Sequence, residues 1–135
     1  MKIRDIMTPD THVIGASDDL RKAAQMMRVC DVGSLPVHNG EKLVGMLTDR
    51  DIVVRAVAEG VTDGRVEQFM STQIKYCYDD EDAATVARNM AELAVRRLPV
   101  VDRDKRLVGM VSLSNLTQTD GEATDEFLQA VAQPH

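Results

Sequence analysis

The sequence Leu43-Val44-Gly45-Met46 returns unchanged 64 positions later as Leu107-Val108-Gly109-Met110. Ahead of it, Leu35-Pro36-Val37 returns as Leu98-Pro99-Val100 at a shift of 63, so the second copy has gained one residue between these two segments. Chance rarely keeps proline, glycine and methionine in step over such a distance, and self-similarity at a fixed period indicates a duplicated structural unit. The chain is therefore two tandem copies of one unit.

Both copies predict the same order of elements: a strand, a helix, a β-hairpin and a second helix. The basis is an apolar face at helical spacing, a polar N-cap before it and a turn signal inside the hairpin, which is Asn39-Gly40 in the first copy. The first copy predicts a strand at 11–14, a helix capped by Ser17 with the face Leu20, Ala23, Ala24, Met27, strands at 35–38 and 42–47, and a helix at about 49–58. The second predicts a helix capped by Asp80 with the face Ala83, Val86, Ala87, Met90, and strands at 98–102 and 106–111.

This pattern predicts an α+β fold in which the two copies pack together, because a unit of about 60 residues buries only a modest share of its surface alone. The predicted division is a first repeat at 1–60, a linker at 61–65 and a second repeat at 66–118. Residues 119–135 predict a C-terminal tail helix, whose apolar side holds Phe127, Leu128 and Val131.

Composition excludes several classes of function. The net charge of −6 argues against binding of duplex nucleic acid, which needs many lysines and arginines to neutralise phosphates. Aromatic residues are 3% of the chain, which argues against a platform for stacking single-stranded bases. No apolar run approaches the roughly 20 residues of a membrane span, and residues 1–5 lack the apolar stretch of a signal peptide. We therefore expect a cytoplasmic protein without a membrane segment.

Reactive and metal-binding residue types are sparse. His12, His38 and His135 share no ligand spacing, so we predict no metal site. Cys30 and Cys77 are interpreted as reduced, buried thiols, with a redox role as the lesser alternative. The acidic run at 79–82 is interpreted as capping the helix that follows, with its side chains facing water. The alternative is that it binds a divalent cation. No nucleophile stands in a pattern with a base, so we predict no catalytic residues and no enzyme.

Two heptapeptides carry a resemblance to a known family. They are Gly45-Met46-Leu47-Thr48-Asp49-Arg50-Asp51 and Gly109-Met110-Val111-Ser112-Leu113-Ser114-Asn115, supported by the Leu-Pro-Val strands and by Met7-Thr8-Pro9. In these features residues 1–117 resemble the cystathionine-β-synthase (CBS) domain family, and are most similar to small stand-alone bacterial CBS-pair proteins. The resemblance implies two β-α-β-β-α units packed around a pseudo-two-fold axis, and homodimers built head-to-head or head-to-tail.

The motif residues suit a nucleotide on physical grounds. Thr48 and Ser112 stand where a strand gives way to a helix, and the free amides and dipole of a helix start favour phosphate. Asp51 lies one helical turn further and faces the same way, so its carboxylate can accept from both ribose hydroxyls. Taken alone, Thr48 is better interpreted as a helix N-cap, with Asp51 favoured by the helix dipole. The duplication and the matching second motif favour contact with a ligand instead.

The resemblance implies two ligand clefts, each combining one motif with segments of the other copy. The first would be built from Thr48, Asp51, Ser34, Ser71, Thr72, Val95 and Arg96, with Arg50 assisting from the helix start. The second would be built from Ser112, Asn115, Arg97, Thr8, Pro9, Val32 and Gly33. Arg96 and Arg97 would supply positive charge for phosphates, although they read equally as a solvated pair.

The two clefts are expected to be unequal. Asn115 replaces the aspartate of the first motif, and an amide has one acceptor oxygen where a carboxylate has two. Arg97 stands where the first copy has Ser34. We therefore expect ribose to be held more tightly at Asp51, with phosphate contacts from Arg97 partly offsetting the difference.

The function that follows is a regulatory module that binds AMP, ADP, ATP or a related adenosyl compound and uses no other cofactor. With no catalytic or DNA-binding domain in the sequence, its output is expected to pass to another, unidentified protein. The alternative is a scaffold that binds a protein partner and no nucleotide. A single-stranded nucleic-acid binder ranks below both because of the charge and the scarce aromatics.

Overall fold

The computed structural model describes residues 1–9 and 11–116, so the tail predicted at 119–135 lies outside the described residues. The chain divides into two compact units. We call residues 12–74 the first unit, and residues 1–11 together with those from Lys75 onward the second unit. No helix in the described part of the chain is long and apolar enough to cross a lipid bilayer.

The first unit is a three-stranded sheet with helices. Its elements are β1 (Ile14–Gly15), α1 (Leu20–Cys30), β2 (Ser34–His38), β3 (Leu43–Thr48), α2 (Asp49–Asp51), a π-helical segment (Ile52–Ala56) and 3₁₀ turns at Val57–Glu59 and Val66–Gln68. The strand order is β1-β2-β3, with β1 parallel to β2 and β3 antiparallel to it. The sheet and α1 enclose an aliphatic core that includes Ile14, Leu20, Ala23, Leu35, Val37 and Leu47.

The second unit repeats this arrangement. Its elements are a 3₁₀ turn (Ile3–Asp5), β4 (Cys77–Tyr78), α3 (Ala83–Leu93), β5 (Arg97–Val101), β6 (Leu107–Ser112) and α4 (Leu113–Leu116). The strand order is β4-β5-β6, with the same parallel and antiparallel pairing. The α+β architecture predicted from the repeat is confirmed, and both hairpins form where the sequence places them.

The first hairpin turns at Asn39-Gly40, as predicted. Asn39 N–H donates to the Lys42 carbonyl at 3.2 Å, and Lys42 N–H donates to Asn39 Oδ1 at 3.3 Å. Gly40 has φ +123°, a conformation that a residue with a Cβ rarely adopts. The turn chemistry of this dipeptide therefore fixes where β2 ends.

Each unit is completed by the opening segment of the other sequence copy. Thr8 pairs with Met110 of β6 through two backbone hydrogen bonds of 2.8 and 3.0 Å. Ser71, which is Thr8 shifted by 63 positions, pairs with Met46 of β3 in the same way at 2.8 and 3.0 Å. The compact units therefore do not coincide with the sequence copies, since residues 1–11 pack with the second copy and the segment leading to Ile74 packs with the first.

This exchange explains the glycine of each motif. A Cβ built on Gly109 would lie 2.6 Å from the Thr8 carbonyl oxygen and 2.9 Å from Met7 Sδ. A Cβ on Gly45 would lie 2.6 Å from Met70 Sδ and 2.9 Å from the Ser71 carbonyl oxygen. The glycines thus permit a close backbone approach, and its cause is the opening segment of the other copy.

The starts of the long helices were predicted too early. Ser17 is not the N-cap of α1: Asp19 is, and it accepts from Arg21 N–H at 3.0 Å. Residues 15–18 instead form a turn that Asp18 closes by accepting from Gly15 N–H at 2.8 Å. Ala24, assigned to the buried face, is exposed.

The second copy shows the same displacement. Asp80 does not cap α3, which begins after Asp82. Asp80 instead binds Arg103 of the β5–β6 turn through two hydrogen bonds of 2.7 and 2.8 Å, and this holds the pKa of its carboxyl below the usual value. Glu81 closes the turn before the helix by accepting from Tyr78 N–H at 2.9 Å. The acidic run was interpreted as capping this helix, but the side chain of Asp82 at the N-cap position makes no capping hydrogen bond, and Asp80 and Glu81 bind other groups.

The strand predicted at 11–14 is also shorter than expected. Only Ile14 and Gly15 pair with β2. The helix predicted at about 49–58 covers that range and ends at Gly60, which has φ +76°. It is not uniform, because after one α-helical turn it widens into the π-helical segment Ile52–Ala56.

Cys77 lies inside the core of the second unit, 3% exposed, as expected of a buried thiol. Burial, and then the nearby carboxylates of Glu81 and Asp79, raise the pKa of this thiol to about 12. Cys30, at the end of α1, is only partly buried. The two cysteines therefore differ in access, and Cys30 is less buried than expected.

Alanine at the motif glycines tests the exchange. We expect Gly109→Ala and Gly45→Ala each to lower the free energy of unfolding by about 1–3 kcal/mol, because a new methyl group would push the paired segment away. Gly33→Ala is the matched control, since its Cβ would meet only the Asp49 side chain at 3.2 Å. Urea unfolding measures the difference, and equal midpoints for Gly109→Ala and Gly33→Ala would contradict the explanation.

Alkylation tests the cysteines. At pH 8 we expect iodoacetamide to modify Cys30 well before Cys77, because Cys77 is 3% exposed and burial raises the pKa of its thiol to about 12, which leaves it little reactive thiolate. Mass spectrometry of peptides after timed quenching measures both rates. In urea the two rates should converge, and comparable rates in the folded protein would be inconsistent with the buried position of Cys77.

Candidate functional site

The junction between β3 and α2 is the first motif site. Thr48 is the N-cap of α2, and its Oγ1 accepts from Asp51 N–H at 3.0 Å. Asp51 Oδ2 in turn accepts from Thr48 N–H at 3.0 Å. This reciprocal capping box holds both side chains at the helix start, so the N-cap interpretation of Thr48 is confirmed.

Asp51 keeps one carboxylate oxygen outside the capping box. Its Oδ1 lies 3.7 Å from Nε of Arg55, one turn further along the helix, and the Asp51 side chain is 16% exposed. Arg55 was not singled out from the sequence, although the spacing of four residues between an acid and a base on a helix signals such a pair. A partly exposed carboxylate oxygen at a helix start is an acceptor that a hydroxyl-bearing ligand can use.

The other first-unit residues of the prediction surround this junction to different degrees. Ser34 opens β2 and pairs in register with Thr48. The carbonyl of Gly33 accepts from Asp49 N–H at 2.9 Å, which places Val32 and Gly33 beside the helix start. Ser71 lies along β3 through its pairing with Met46, two residues before Thr48. Arg50 and Thr72 are exposed.

The junction between β6 and α4 is the corresponding site of the second unit, with different bonding. Asn115 Oδ1 accepts from both the backbone N–H of Ser112 and the Ser112 hydroxyl, each at 2.9 Å. The Ser112 hydroxyl also lies 2.9 Å from that of Ser114. Asn115 Nδ2 donates to Thr8 Oγ1 at 3.4 Å, so Thr8 and Asn115 lie side by side. Pro9 follows Thr8 and is exposed.

The two junctions differ in how many hydrogen bonds the side-chain oxygens of Asp51 and Asn115 already accept. The single amide oxygen of Asn115 already accepts two hydrogen bonds, which fills its lone pairs. The carboxylate of Asp51 accepts one hydrogen bond at Oδ2, and its Oδ1 lies 3.7 Å from Nε of Arg55, beyond hydrogen-bond distance. The inequality expected from the residue types thus has a counterpart in the geometry.

The second junction opens into a cavity with positive charge. Its volume is about 510 Å³, and its lining residues are Arg96, Arg97, Ser112, Leu113 and Ser114. Arg97 opens β5 and pairs in register with Ser112, and the carbonyl of Arg96 accepts from Leu113 N–H at 3.2 Å. Two exposed guanidinium groups beside serine hydroxyls and a helix start form a surface that suits an anion.

The predicted site residues are distributed over both compact units. Ser34, Thr48, Arg50, Asp51, Ser71 and Thr72 lie in the first unit together with Val32 and Gly33; Thr8, Pro9, Arg97, Ser112 and Asn115 lie in the second together with Val95 and Arg96. Four residues were assigned to the cleft of the other motif, namely Val95 and Arg96 to that of Thr48, and Val32 and Gly33 to that of Ser112. Their contribution across the units stays a prediction.

Residues that ligate metals are dispersed in the described ranges. Within residues 1–9 and 11–116, no three histidine, cysteine, aspartate or glutamate side chains lie together as a metal site requires. His38 Nδ1 accepts from Gly40 N–H at 3.0 Å in the first hairpin, so it has a structural role. His135 lies outside the described residues.

Comparison with curated proteins shows close relatives of similar length. The chain is 35% identical over 135 residues to hypoxic response protein 1 of Mycobacterium tuberculosis, covering 97% of this chain and 94% of that protein. It is 36% identical over 116 residues to the CBS domain-containing protein YhcV of Bacillus subtilis, covering 84% of this chain and 81% of that protein.

Solved structures give the same picture, each matching 87% of this chain. Hypoxic response protein I with two coordinated zinc ions superposes with a TM-score of 0.75 at 34% identity over 98% of its chain. CBSX2 in complex with AMP gives 0.74 at 27% identity over 93%. The CBS domain pair of protein MJ0100, in complex with 5′-methylthioadenosine and S-adenosyl-L-methionine, gives 0.70 at 25% identity over 98%.

The sequence model of the CBS domain matches the chain twice, at residues 3–57 and 66–120. These two matches contain the two capped junctions and the two exchanged segments described above. The chain belongs to the CBS domain family, as a tandem pair.

Proposed function

We propose that this CBS pair is a regulatory module that binds an adenine nucleotide or a related adenosyl compound at its two motif junctions. The observation that carries the proposal is Oδ1 of Asp51, a carboxylate oxygen at a helix start that lies outside the capping box, 3.7 Å from Nε of Arg55. Such an oxygen accepts strong hydrogen bonds from ribose hydroxyls, and the neighbouring helix amides favour phosphate.

Two relatives support adenosine as the shared part of the ligand. CBSX2 was crystallised with AMP, and the MJ0100 pair with 5′-methylthioadenosine and S-adenosyl-L-methionine. These ligands have adenosine in common and differ in their substituent at the 5′ carbon. The open cavity beside Arg96 and Arg97 favours a ligand with phosphate there, so AMP, ADP and ATP are the first candidates.

Binding without chemistry fits the groups present. The hydroxyl of Ser112 donates to an amide oxygen, and Thr48 Oγ1 accepts from a backbone amide, so neither hydroxyl is aligned with a base that would activate it. We infer that the ligand is released unchanged. A ligand then acts only by favouring one arrangement of the protein over another.

The output of such a module passes to another macromolecule. We propose that the chain works as a cytoplasmic homodimer and that ligand occupancy changes its affinity for a protein partner. The competing function is a scaffold whose junctions serve only as capped helix starts. The complete capping box at Thr48 and Asp51 is the observation that favours the scaffold, because it accounts for both residues without a ligand.

Thermal unfolding with a nucleotide panel separates the two functions. We expect AMP, ADP or ATP at 100-fold over its dissociation constant to stabilise the fold by about 2.7 kcal/mol, whereas GMP at the same concentration does not. S-Adenosyl-L-methionine belongs in the panel because it lacks phosphate. An unchanged melting temperature with every adenine compound would leave the scaffold as the function.

Exchange of the two motif residues tests the inequality of the junctions. We expect Asp51→Asn to weaken binding of the stabilising nucleotide about tenfold or more, because a hydrogen bond to a charged acceptor is worth about 1.5–3 kcal/mol. Asn115→Asp, which restores a carboxylate in the second unit, should weaken binding far less or strengthen it. Asp49→Asn is the matched control, since its exposed carboxylate accepts only from Arg50 N–H. Calorimetric titration gives the affinities, and equal losses at both junctions would refute the inequality.

A further inference from the structure

A second cavity of the second unit lies apart from the motif junction, between α3 and the strands β4 and β5. Its volume is about 270 Å³. Its lining residues are Tyr76, Cys77, Glu81, Val86, Asn89, Glu92, Leu93 and Leu98. None of them belongs to the motif heptapeptides, so the proposed nucleotide site does not account for this cavity.

The cavity has an apolar interior and an acidic rim. Cys77, Val86 and Leu98 reach it from the core, each at most 3% exposed. Leu93, at the end of α3, is 41% exposed and forms a wall. Glu81 and Glu92 contribute two carboxylates, and no lysine or arginine is among the described residues that line it.

The first sequence copy neutralises its acid at this place, and the second does not. Asp18, the counterpart of Glu81, pairs with Lys22 of α1 at 3.4 Å. At the position of Lys22 the second copy has Thr85. The second copy therefore has the acidic residue without the lysine.

The end of the helix shows the same change. The last turn of α1 holds Arg28, which is favourable beside the negative end of a helix dipole. The last turn of α3 has no basic residue, and Glu92 stands there where α1 has Val29. Arg88, one turn earlier on α3, is not ion-paired with Glu92 among the described contacts. The rim thus combines two carboxylates with an uncompensated helix end, which favours a cation from outside.

Arg103 and Lys105, two cations of the β5–β6 turn, lie against aromatic rings. Arg103 stacks on the ring of Tyr78 with its guanidinium carbon 4.1 Å from the ring centroid, and binds Asp80 through two hydrogen bonds. Lys105 Nζ lies 5.9 Å from the centroid of the Tyr76 ring but does not line the cavity. Neither residue neutralises Glu81 or Glu92 by a direct ion pair.

The size of the cavity selects the kind of occupant. A volume of about 270 Å³ is below the roughly 300–1,000 Å³ of pockets that enclose a whole small ligand. It suits one long side chain of a larger molecule. Arginine and lysine combine an apolar stem, which the interior favours, with a cationic head, which the rim favours. The planar guanidinium of arginine can bind a carboxylate with two parallel hydrogen bonds and stack on a ring such as Tyr76.

We propose that this cavity is the docking site for an arginine side chain presented by a basic segment of a partner protein. The net charge of −6 attracts such a segment over longer distances. The protein partner of the proposed function would carry this basic segment, but docking of the arginine does not require a bound nucleotide. Its test uses no nucleotide, so its outcome is independent of the thermal-shift panel.

Two-dimensional NMR of the ¹⁵N-labelled full chain tests it, with the peptide acetyl-Ala-Leu-Arg-Leu-Ala-amide as the probe. We expect saturable shifts of the amides of Tyr76, Asn89 and Leu93. The same peptide with citrulline in place of arginine keeps the shape and loses the charge. We expect it to bind about three- to fivefold more weakly, as for a partly exposed ion pair.

Protein variants locate the charge. We expect Glu92→Gln to weaken arginine-peptide binding about three- to fivefold and to leave citrulline-peptide binding unchanged. Glu59→Gln, an exposed glutamate in the helix end of the first unit, is the control for total charge and should leave binding unchanged. Equal binding of the two peptides, equal weakening by Glu59→Gln, shifts centred on other residues, or no shifts at millimolar peptide would each overturn the proposal.

Discussion

The structure depends on a backbone pairing that leaves no room for a side chain. Thr8 with Met110, and Ser71 with Met46, form paired hydrogen bonds directly against a glycine of the neighbouring strand. The position of each motif follows from this contact, because β3 and β6 continue from the glycine to the hydroxyl residue, Thr48 or Ser112, that precedes the next helix. A Cβ at the glycine would shift the segment that carries Ser71 or Thr8, and with it the surroundings of the junction.

The elements that could be located from the sequence are those that regular periodicity or turn chemistry determines. The repeat, the apolar face of α3 and the Asn39-Gly40 turn all follow from local patterns. The helix starts were misplaced because several polar residues in a row can each cap. Asp18 and Glu81 close preceding turns, which moves the helix start to Asp19 and Asp82. A pattern of residue types does not decide which of several neighbouring carboxylates takes which amide.

The sequence indicated which residues form the candidate site, but it did not indicate the hydrogen bonds and ion pairs among them. Thr48 and Asp51 were identified, but the π-helical segment after them and the approach of Arg55 to Asp51 were not. The resemblance assigned Ser71 to the cleft of Thr48 and Thr8 to that of Ser112, but the backbone pairing of these segments with β3 and β6 was not predicted, since repeats read along the sequence suggest units that match the repeats. Long-range pairing such as that of Thr8 with Met110 leaves no local sequence signal except the motif glycine, which is present in both copies of this chain.

The exchange also sets an order in which the two units can be completed. The pairing partners Met46 and Ser71 are 25 positions apart, and the first unit is one continuous stretch of residues 12–74. Thr8 and Met110 are 102 positions apart, so closing the second unit brings together residues made near the beginning and near the end of the described chain. Closure of a longer loop costs more entropy and slows folding. During synthesis, residues 12–74 are all present before β6 emerges, so until then Thr8 lacks its pairing partner Met110.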